Sequence, residues 1–505
     1  MEAGRLWLAE RSATLADRRA PVTRHGDSPP LRPQEIARLR PFAGLRRRSG
    51  RRWRKSCETW RATTQNPTMP LTSRGERLFL HEFGGQERVM ATDTIVLGAG
   101  IVGISVALHL QKAGRSVLLV DKRAPGEETS YGNAGLIQRE GVYPYGFPHD
   151  FGALIRYAMN NTIDAHYHWQ AIPKLAPFLF SYWMHSRASQ HEAIAHKYAT
   201  LIEHCVSEHD ALAQEAGATG LLRRNGWMKV FRTAAQQDER LAEAARWNRD
   251  FGLNYRALDK ETLKAEEPHL DHDSLIGGLH WTDPVTVIDP HGLSKAYVAR
   301  FEALGGKLAL GDAGTLTQNG AEWTVKLADG TTAQARDVVV ALGPWADVLS
   351  RKLGYHLPLA VKRGYHMHYK AQGNAVLNHP VLDTERGYFL APMQQGIRLT
   401  TGAEFADRDA PKTPVQLERA EPIARTLFPL GERIDPEPWL GRRPCTPDMM
   451  PIIGPAPKHK GLWFSFGHAH HGLTLAAVTG RMIAEMVTGL KVFVDPTPFA
   501  PARFA

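Results

Sequence analysis

The 505-residue chain carries 62 Lys and Arg against 52 Asp and Glu, a net charge of +10, but residues 1–90 alone hold eighteen Arg and one Lys against nine acids. The rest is therefore neutral, which argues against nucleic acid as a partner of the folded part, and a hydrophobic fraction of 43% suits two or three globular domains. Three cysteines without a CxxC exclude a disulfide framework, and no apolar run reaches the roughly 20 residues needed to cross a bilayer.

The first segment, 1–89, is rich in Arg, Pro, Ser and Thr, with Arg46-Arg-Arg48 and Arg51-Arg-Trp-Arg-Lys55, and has no helical or strand period. It reads as a basic extension without regular structure: a transit-like leader, a basic arm for an anionic surface, or translation from an upstream start. Met90-Ala-Thr-Asp-Thr-Ile-Val favours the last, because it leads directly into the first strand.

That strand (Ile95, Val96, Leu97) runs into Gly98-Ala-Gly100-Ile101-Val102-Gly103. An apolar helix follows to about Gly114, and a second strand, Ser116–Val120, ends at Asp121. Strand, G-x-G-x-x-G, helix, strand and acid in this order form a dinucleotide-binding unit. Gly98 permits the tight turn, Gly100 lets the backbone approach a pyrophosphate, and Gly103 lets helix and strand pack closely. The helix start offers free N–H groups to phosphates, and Asp121 is placed to accept from ribose hydroxyls.

From Asp150 to Arg256 the pattern is mainly helical, with one periodic run at 193–212, another at 234–251, and a strand at 226–232 between them. A helix is expected from Leu293 to Leu304, stopped by Gly305-Gly306. Short strands follow, with turns at Asn319-Gly320 and Asp329-Gly330, and then a buried strand, 335–341, that enters a turn at Gly343. Strands dominate 358–404, and 415–427 is helical. Met450–Pro455 reads as a loop, 461–467 as a strand and 475–487 as an apolar helix ending at Gly489.

Three further clusters carry chemistry: Thr129-Ser130-Tyr-Gly-Asn133-Ala134-Gly135; Val338-Val-Val-Ala-Leu-Gly343-Pro-Trp-Ala346, with glycine at a strand end; and Gly441-Arg-Arg443-Pro-Cys-Thr-Pro-Asp-Met-Met-Pro-Ile-Ile-Gly-Pro455, shortly before Gly467-His-Ala-His470-His-Gly472-Leu473-Thr474-Leu475. With the glycine turn they resemble the flavin-dependent D-amino-acid dehydrogenase and glycine oxidase (DAO) family, over about Thr92 to Gly489. Lys362-Arg-Gly-Tyr-His366 is most similar to the bacterial D-amino-acid dehydrogenases and their D-hydroxyproline-oxidising relatives.

The resemblance implies an α/β fold. A discontinuous Rossmann-like FAD-binding domain (90–149, 275–350 and 440–490) would carry an inserted α+β substrate domain (150–274 and 351–439), followed by a tail, 491–505. It implies FAD, bound non-covalently although Cys445 is near. Gly98, Gly100, Ile101, Val102 and Gly103 would hold the pyrophosphate, with Asp121 and Lys122 at the ribose. Ser130, Asn133, Ala134 and Gly343 would lie along the flavin, and Gly467, Gly472, Leu473 and Thr474 would form a second glycine turn against its ring. Lys122 and Arg123 would also suit a phosphorylated NADP ribose, but the C-terminal motif pair belongs to flavin proteins.

The implied reaction is oxidative deamination of a D-amino acid. Hydride passes from Cα to flavin N5, the imine is hydrolysed to a 2-oxo acid and ammonia, and electrons leave to a quinone or other carrier. Arg443 matches the carboxylate-binding position, because a guanidinium binds both oxygens at once. Tyr388 matches a tyrosine that helps hold the carboxylate, and His470 a second polar position; Arg363, Tyr365 and His366 are candidates for the substrate side. The competing readings are a glycine, sarcosine or D-hydroxyproline-type imino-acid oxidase or dehydrogenase, and a non-catalytic basic-armed protein with a relic flavin site. No metal site is expected, since the histidines at 166, 168, 468, 470 and 471 have no zinc-type spacing. The expected location is the cytoplasm, with peripheral attachment to a membrane left open.

Overall fold

The computed structural model describes residues 89–504, so the basic N-terminal segment lies outside the described residues. The first strand, Val89–Leu97, passes through Gly98 into the helix Ile101–Lys112 and then the strand Val117–Asp121, in the order the glycine motif demands. It pairs in parallel with Val117–Asp121 on one side and with Thr332–Val340 on the other. Lys307–Asn319 extends the parallel layer beyond Val117–Asp121, and Leu462–Phe466 extends it beyond Thr332–Val340. Ile95, Val96 and Leu97 are fully buried, consistent with a sheet covered on both faces.

The pieces of this seven-stranded sheet come from the start, middle and end of the chain. What welds them is a helix pair. The last helix, Gly472–Thr488, crosses Ile101–Lys112 at Gly480, where a Cβ would lie 2.7 Å from the Ser105 backbone. Any other residue at 480 would push the two helices apart.

A second sheet of eleven strands is built around the long strand Ala360–Ala371, which pairs antiparallel with Gly396–Thr400 and Trp439–Cys445. Gly277–Trp281 and Trp439–Cys445 join this second sheet, although both fall at the margins of ranges expected for the nucleotide-binding part. Two local expectations are corrected. The run 193–212 is two helices, Ala188–Ile202 and Cys205–Glu215, because the chain turns at Glu203-His204 while its apolar spacing continues. Ile452–Pro455 is a strand, paired antiparallel with Leu462–Phe466, rather than a loop; its prolines sit at the margins of an edge strand, where a missing N–H is tolerated. Among the described residues no helix is long and apolar enough to cross a membrane.

Candidate active site

One cavity of about 1050 Å³ runs from the first glycine turn to the second sheet. At one end Gly98 has φ +107°, and a Cβ there would lie 2.4 Å from the Ala341 carbonyl oxygen. A Cβ on Gly103 would lie 1.8 Å from the Gly98 oxygen, so helix and strand approach as closely as the motif requires. Gly103 itself does not line the cavity; Gly98, Gly100, Ile101 and Val102 do. The Ile101 N–H donates to Ser130 Oγ (2.9 Å), which ties the 129–135 loop to the helix start.

Asp121 and Lys122 also line this end. Asp121 accepts from the Ala99 N–H (2.6 Å) and the Arg123 N–H (3.1 Å), one bond on each oxygen. A carboxylate offers about four acceptor sites, which leaves capacity for ribose hydroxyls. Lys122 Nζ lies 3.1 Å from Asp312 at the exposed rim. Asn133, Ala134 and Gly343 also line the cavity, and Asn133 Oδ1 accepts from the Gly135 N–H (2.9 Å).

Gly472 and Leu473 open the last helix onto the cavity. Gly467 and Thr474 are not among its lining residues. Gly467 (φ +81°) turns the chain out of the strand, while the Thr474 hydroxyl donates to the Leu136 carbonyl (3.1 Å) and accepts from the Gln138 N–H (3.2 Å). Thr474 thereby fixes the helix start against the loop that leaves the first unit. A bridge from Cys445 to His468, with the Ala469 N–H donating to Pro444 (2.8 Å), brings the strand carrying Arg443 to this helix start.

Arg443 lies over Gly364, where a Cβ would come within 2.5 Å of the guanidinium. Its Nη1 donates to the carbonyls of Arg363 and Gly402, both at 3.2 Å, and it has no carboxylate partner among the described residues. The other arginines on the cavity wall are differently placed: Arg123 pairs with Glu128, and Arg408 with Asp347 and Asp409. Arg443 is thus a partly buried cation with its hydrogen-bonding fork only partly used, and the loss of solvent around it lowers its pKa from the usual value. A ligand carboxylate would complete it.

His470 also faces the cavity, 4.5 Å from the Tyr145 ring centre to centre. Burial, then the charges of Arg443 and Lys362, hold its pKa well below the usual imidazole value, so the ring is neutral. Tyr388 lines the cavity, but its hydroxyl donates to Asp383 (3.0 Å), which Arg232 also grips at 2.8 Å. To donate to a bound carboxylate it must give up that bond.

Alternation along Ala360–Ala371 sorts the remaining candidates. Lys362, Gly364 and His366 border the cavity, and the Tyr365 backbone runs beside them. Arg363 points the other way into a buried ion pair with Glu404 (2.6 Å), to which the Tyr365 hydroxyl also donates (3.1 Å). The expectation that Arg363 faces the substrate is therefore corrected, because a strand sends neighbouring side chains to opposite faces.

Lys362 was not singled out from the sequence. Its Nζ is buried, 3.8 Å from the Tyr182 ring centre and 3.9 Å from Met449 Sδ, and has no carboxylate partner among the described residues. Burial brings its pKa down to about 8. The cation that helps attract an anion is therefore lost as pH rises through about 8. Binding of a small carboxylate inhibitor, followed by perturbation of the flavin spectrum, should weaken above pH 8 in the parent protein. Lys362→Met should bind more weakly at pH 7 and lose that slope.

A family model described as FAD dependent oxidoreductase matches residues 93–486. A D-amino-acid oxidase from Bradyrhizobium diazoefficiens is 28% identical over 419 residues, covering 81% of this chain and 98% of the relative. A D-amino acid dehydrogenase from Rhizobium johnstonii is 31% identical over 422 residues, covering 81% of this chain and 99% of the relative. Among solved structures, glycine oxidase from Geobacillus kaustophilus has a TM-score of 0.62 at 21% identity, covering 82% of this chain and 99% of that one. With the two glycine-lined helix starts facing a single cavity, these matches show that the chain belongs to the DAO family of FAD dependent oxidoreductases.

Proposed function

We propose that this protein oxidatively deaminates D-amino acids to 2-oxo acids and ammonia and passes the electrons to a quinone or similar carrier. The observation that carries this reading is Arg443: a partly buried guanidinium on the cavity wall with no carboxylate partner among the described residues. Gly98, Gly100, Ile101, Val102, Asp121 and Lys122 would hold the nucleotide half of FAD. Asn133, Ala134, Gly343, Gly472 and Leu473 would hold its ring end, where the positive helix start favours an electron-rich group. When bound, FAD supplies the hydride acceptor.

The chain's own residues then have separate tasks. Arg443 clamps the substrate carboxylate and so fixes where Cα lies. Tyr145, on the cavity wall beside His470, offers a second donor, since a phenol hydroxyl keeps its proton at neutral pH. His470 is too weak a base to hold the ammonium proton. The substrate amine must therefore arrive neutral, and turnover should rise with pH until Lys362 loses its charge.

A membrane-borne acceptor is favoured by the surface beside the cavity. Leu154, Tyr157 and Ala158 of the helix Phe151–Ala158 line the cavity, whereas Phe151 and Ile155 of the same helix are exposed, 75% and 50%. Met159, Trp169 and Phe180, in the segments that follow, are exposed as well. An exposed cluster of this kind suits contact with lipid or a lipophilic carrier.

The test is anaerobic mixing of the yellow protein with paired D- and L-amino acids, glycine, sarcosine and both hydroxyproline epimers. D-amino acids should bleach the flavin band and their L-partners should not, and a soluble quinone analogue should restore colour faster than oxygen does. Bleaching by L-amino acids alone, or by none of the panel, would refute the substrate reading. Rapid restoration by oxygen with peroxide release would reassign the protein as an oxidase.

A further inference from the structure

The described residues contain three groups of His and carboxylate side chains whose ligand-type atoms lie within 4.8 Å of one another. In two of them the lone pairs are already used. Glu404, beside His166 and His168, is the counter-ion of Arg363, and His168 Nε2 is engaged by Thr413 (2.8 Å). His368, beside His366 and Asp435, meets Asp435 at Nδ1 (2.8 Å) and Arg398 Nε at Nε2 (2.9 Å).

The third group, Glu266, His280 and His379, keeps unused lone pairs, although Glu266 Oε1 meets the half-exposed Arg256 (2.7 Å). His280 is only 6% exposed, and its Nε2 faces the Asn225 carbonyl (2.8 Å), which can only accept. The proton therefore sits on Nε2, and Nδ1 carries a lone pair. That Nδ1 is buried without a hydrogen-bond partner, 3.5 Å from Glu266 Oε2, which is also buried and unpartnered. Two orphaned acceptors face each other across a gap that only a cation or a proton can make favourable.

His379 completes the set. Its Nδ1 lies 2.7 Å from Glu267 Oε1, a carboxylate held by the backbone N–H groups of Asn378 (3.1 Å) and His379 (2.6 Å). With Nδ1–H donated there, His379 can bind a cation only through Nε2. A histidine oriented by a carboxylate, and another by a backbone carbonyl, are the supports that metal-binding imidazoles use. Ligand bonds of about 2.0–2.1 Å put tetrahedral ligand atoms roughly 3.4 Å apart, close to the His280–Glu266 gap.

We propose that Glu266, His280 and His379 bind one divalent transition-metal ion of the zinc type, with water at the open position. The ion staples the end of the helix Lys260–Glu266 to the strand Gly277–Trp281 and to the loop entering Val381–Asp383. Ligands at 266, 280 and 379 have no local spacing, so sequence inspection cannot see the site.

The test uses the full-length flavin-loaded protein, stripped with chelator and dialysed against zinc or magnesium. Bound metal is counted by mass spectrometry and the thermal midpoint is followed. The parent should retain one zinc more than either His379→Ala or Glu266→Gln, and zinc should raise the midpoint of the parent alone. Magnesium, which prefers oxygen ligands, should do neither. Both substituted residues are partly exposed, so failure of one variant to fold leaves the other as the test. Equal zinc content in parent and folded variants, or none in the parent, would overturn the proposal and leave the cluster as a proton-shared ion pair.

Discussion

Replacing Arg443 by Ala should lower kcat/KM for D-amino acids by roughly thirty- to a few thousandfold, because cutting one side of a desolvated charge pair costs about 2–5 kcal/mol and each 1.4 kcal/mol is a factor of ten. The loss should divide between KM and kcat, since the same clamp that binds the carboxylate also fixes Cα. Arg443→Lys separates charge from geometry: it keeps a point charge but cannot grip two oxygens in one plane, so its activity should lie between the two. Retained yellow colour and an unchanged thermal midpoint would show that the cavity has survived. A carboxylate inhibitor should lose affinity in parallel with substrate. An Ala variant with unaltered affinity for that inhibitor would move the carboxylate site elsewhere, most directly to Lys362.

Why Arg443 could be picked from the sequence while Lys362 could not is a matter of range. Arg443 sits in a run of motif residues, and its neighbours Pro444 and Cys445 are tied to the second glycine turn by local backbone bonds. The first turn was equally legible, because Gly98, Gly100 and Gly103 each answer to a contact within the strand–helix unit or with the adjoining strand. Lys362 acquires its meaning only when Ala360–Ala371 pairs with Trp439–Cys445, setting Lys362 opposite Arg443 on one sheet. Alternation around Gly364 and His366 could have placed it on the same face. Nothing nearby in sequence announces that its charge would be left without an acid. Likewise, Thr474 reads as a ligand-facing residue of a glycine turn, but its hydroxyl is taken by the backbone of 136–138, more than 300 positions away. The strand at Ile452–Pro455 was hidden by its prolines, which an edge position accommodates.

Glu404→Gln should destabilise the protein by about 3–5 kcal/mol, the range for breaking a fully buried ion pair from one side. Neither Arg363 nor Glu404 has any exposed side-chain surface, and guanidinium cannot shed its proton to escape the cost. Arg363 also donates to the carbonyls of Asp407 (3.2 Å), Ala410 (2.7 Å) and Pro411 (2.8 Å), so the charge left behind lies under the loop that carries Arg408 to the cavity wall. Gly402, two residues before Glu404, supplies one of the carbonyls that hold Arg443. The variant should therefore lose thermal midpoint first and substrate affinity second. The double change Arg363→Met with Glu404→Leu should recover much of the midpoint, since it removes the stranded charge, but not the affinity, since the loop loses its three anchors. A double variant no more stable than Glu404→Gln would mean that Arg363 matters as a hydrogen-bond donor to the loop, with the ion pair itself contributing little.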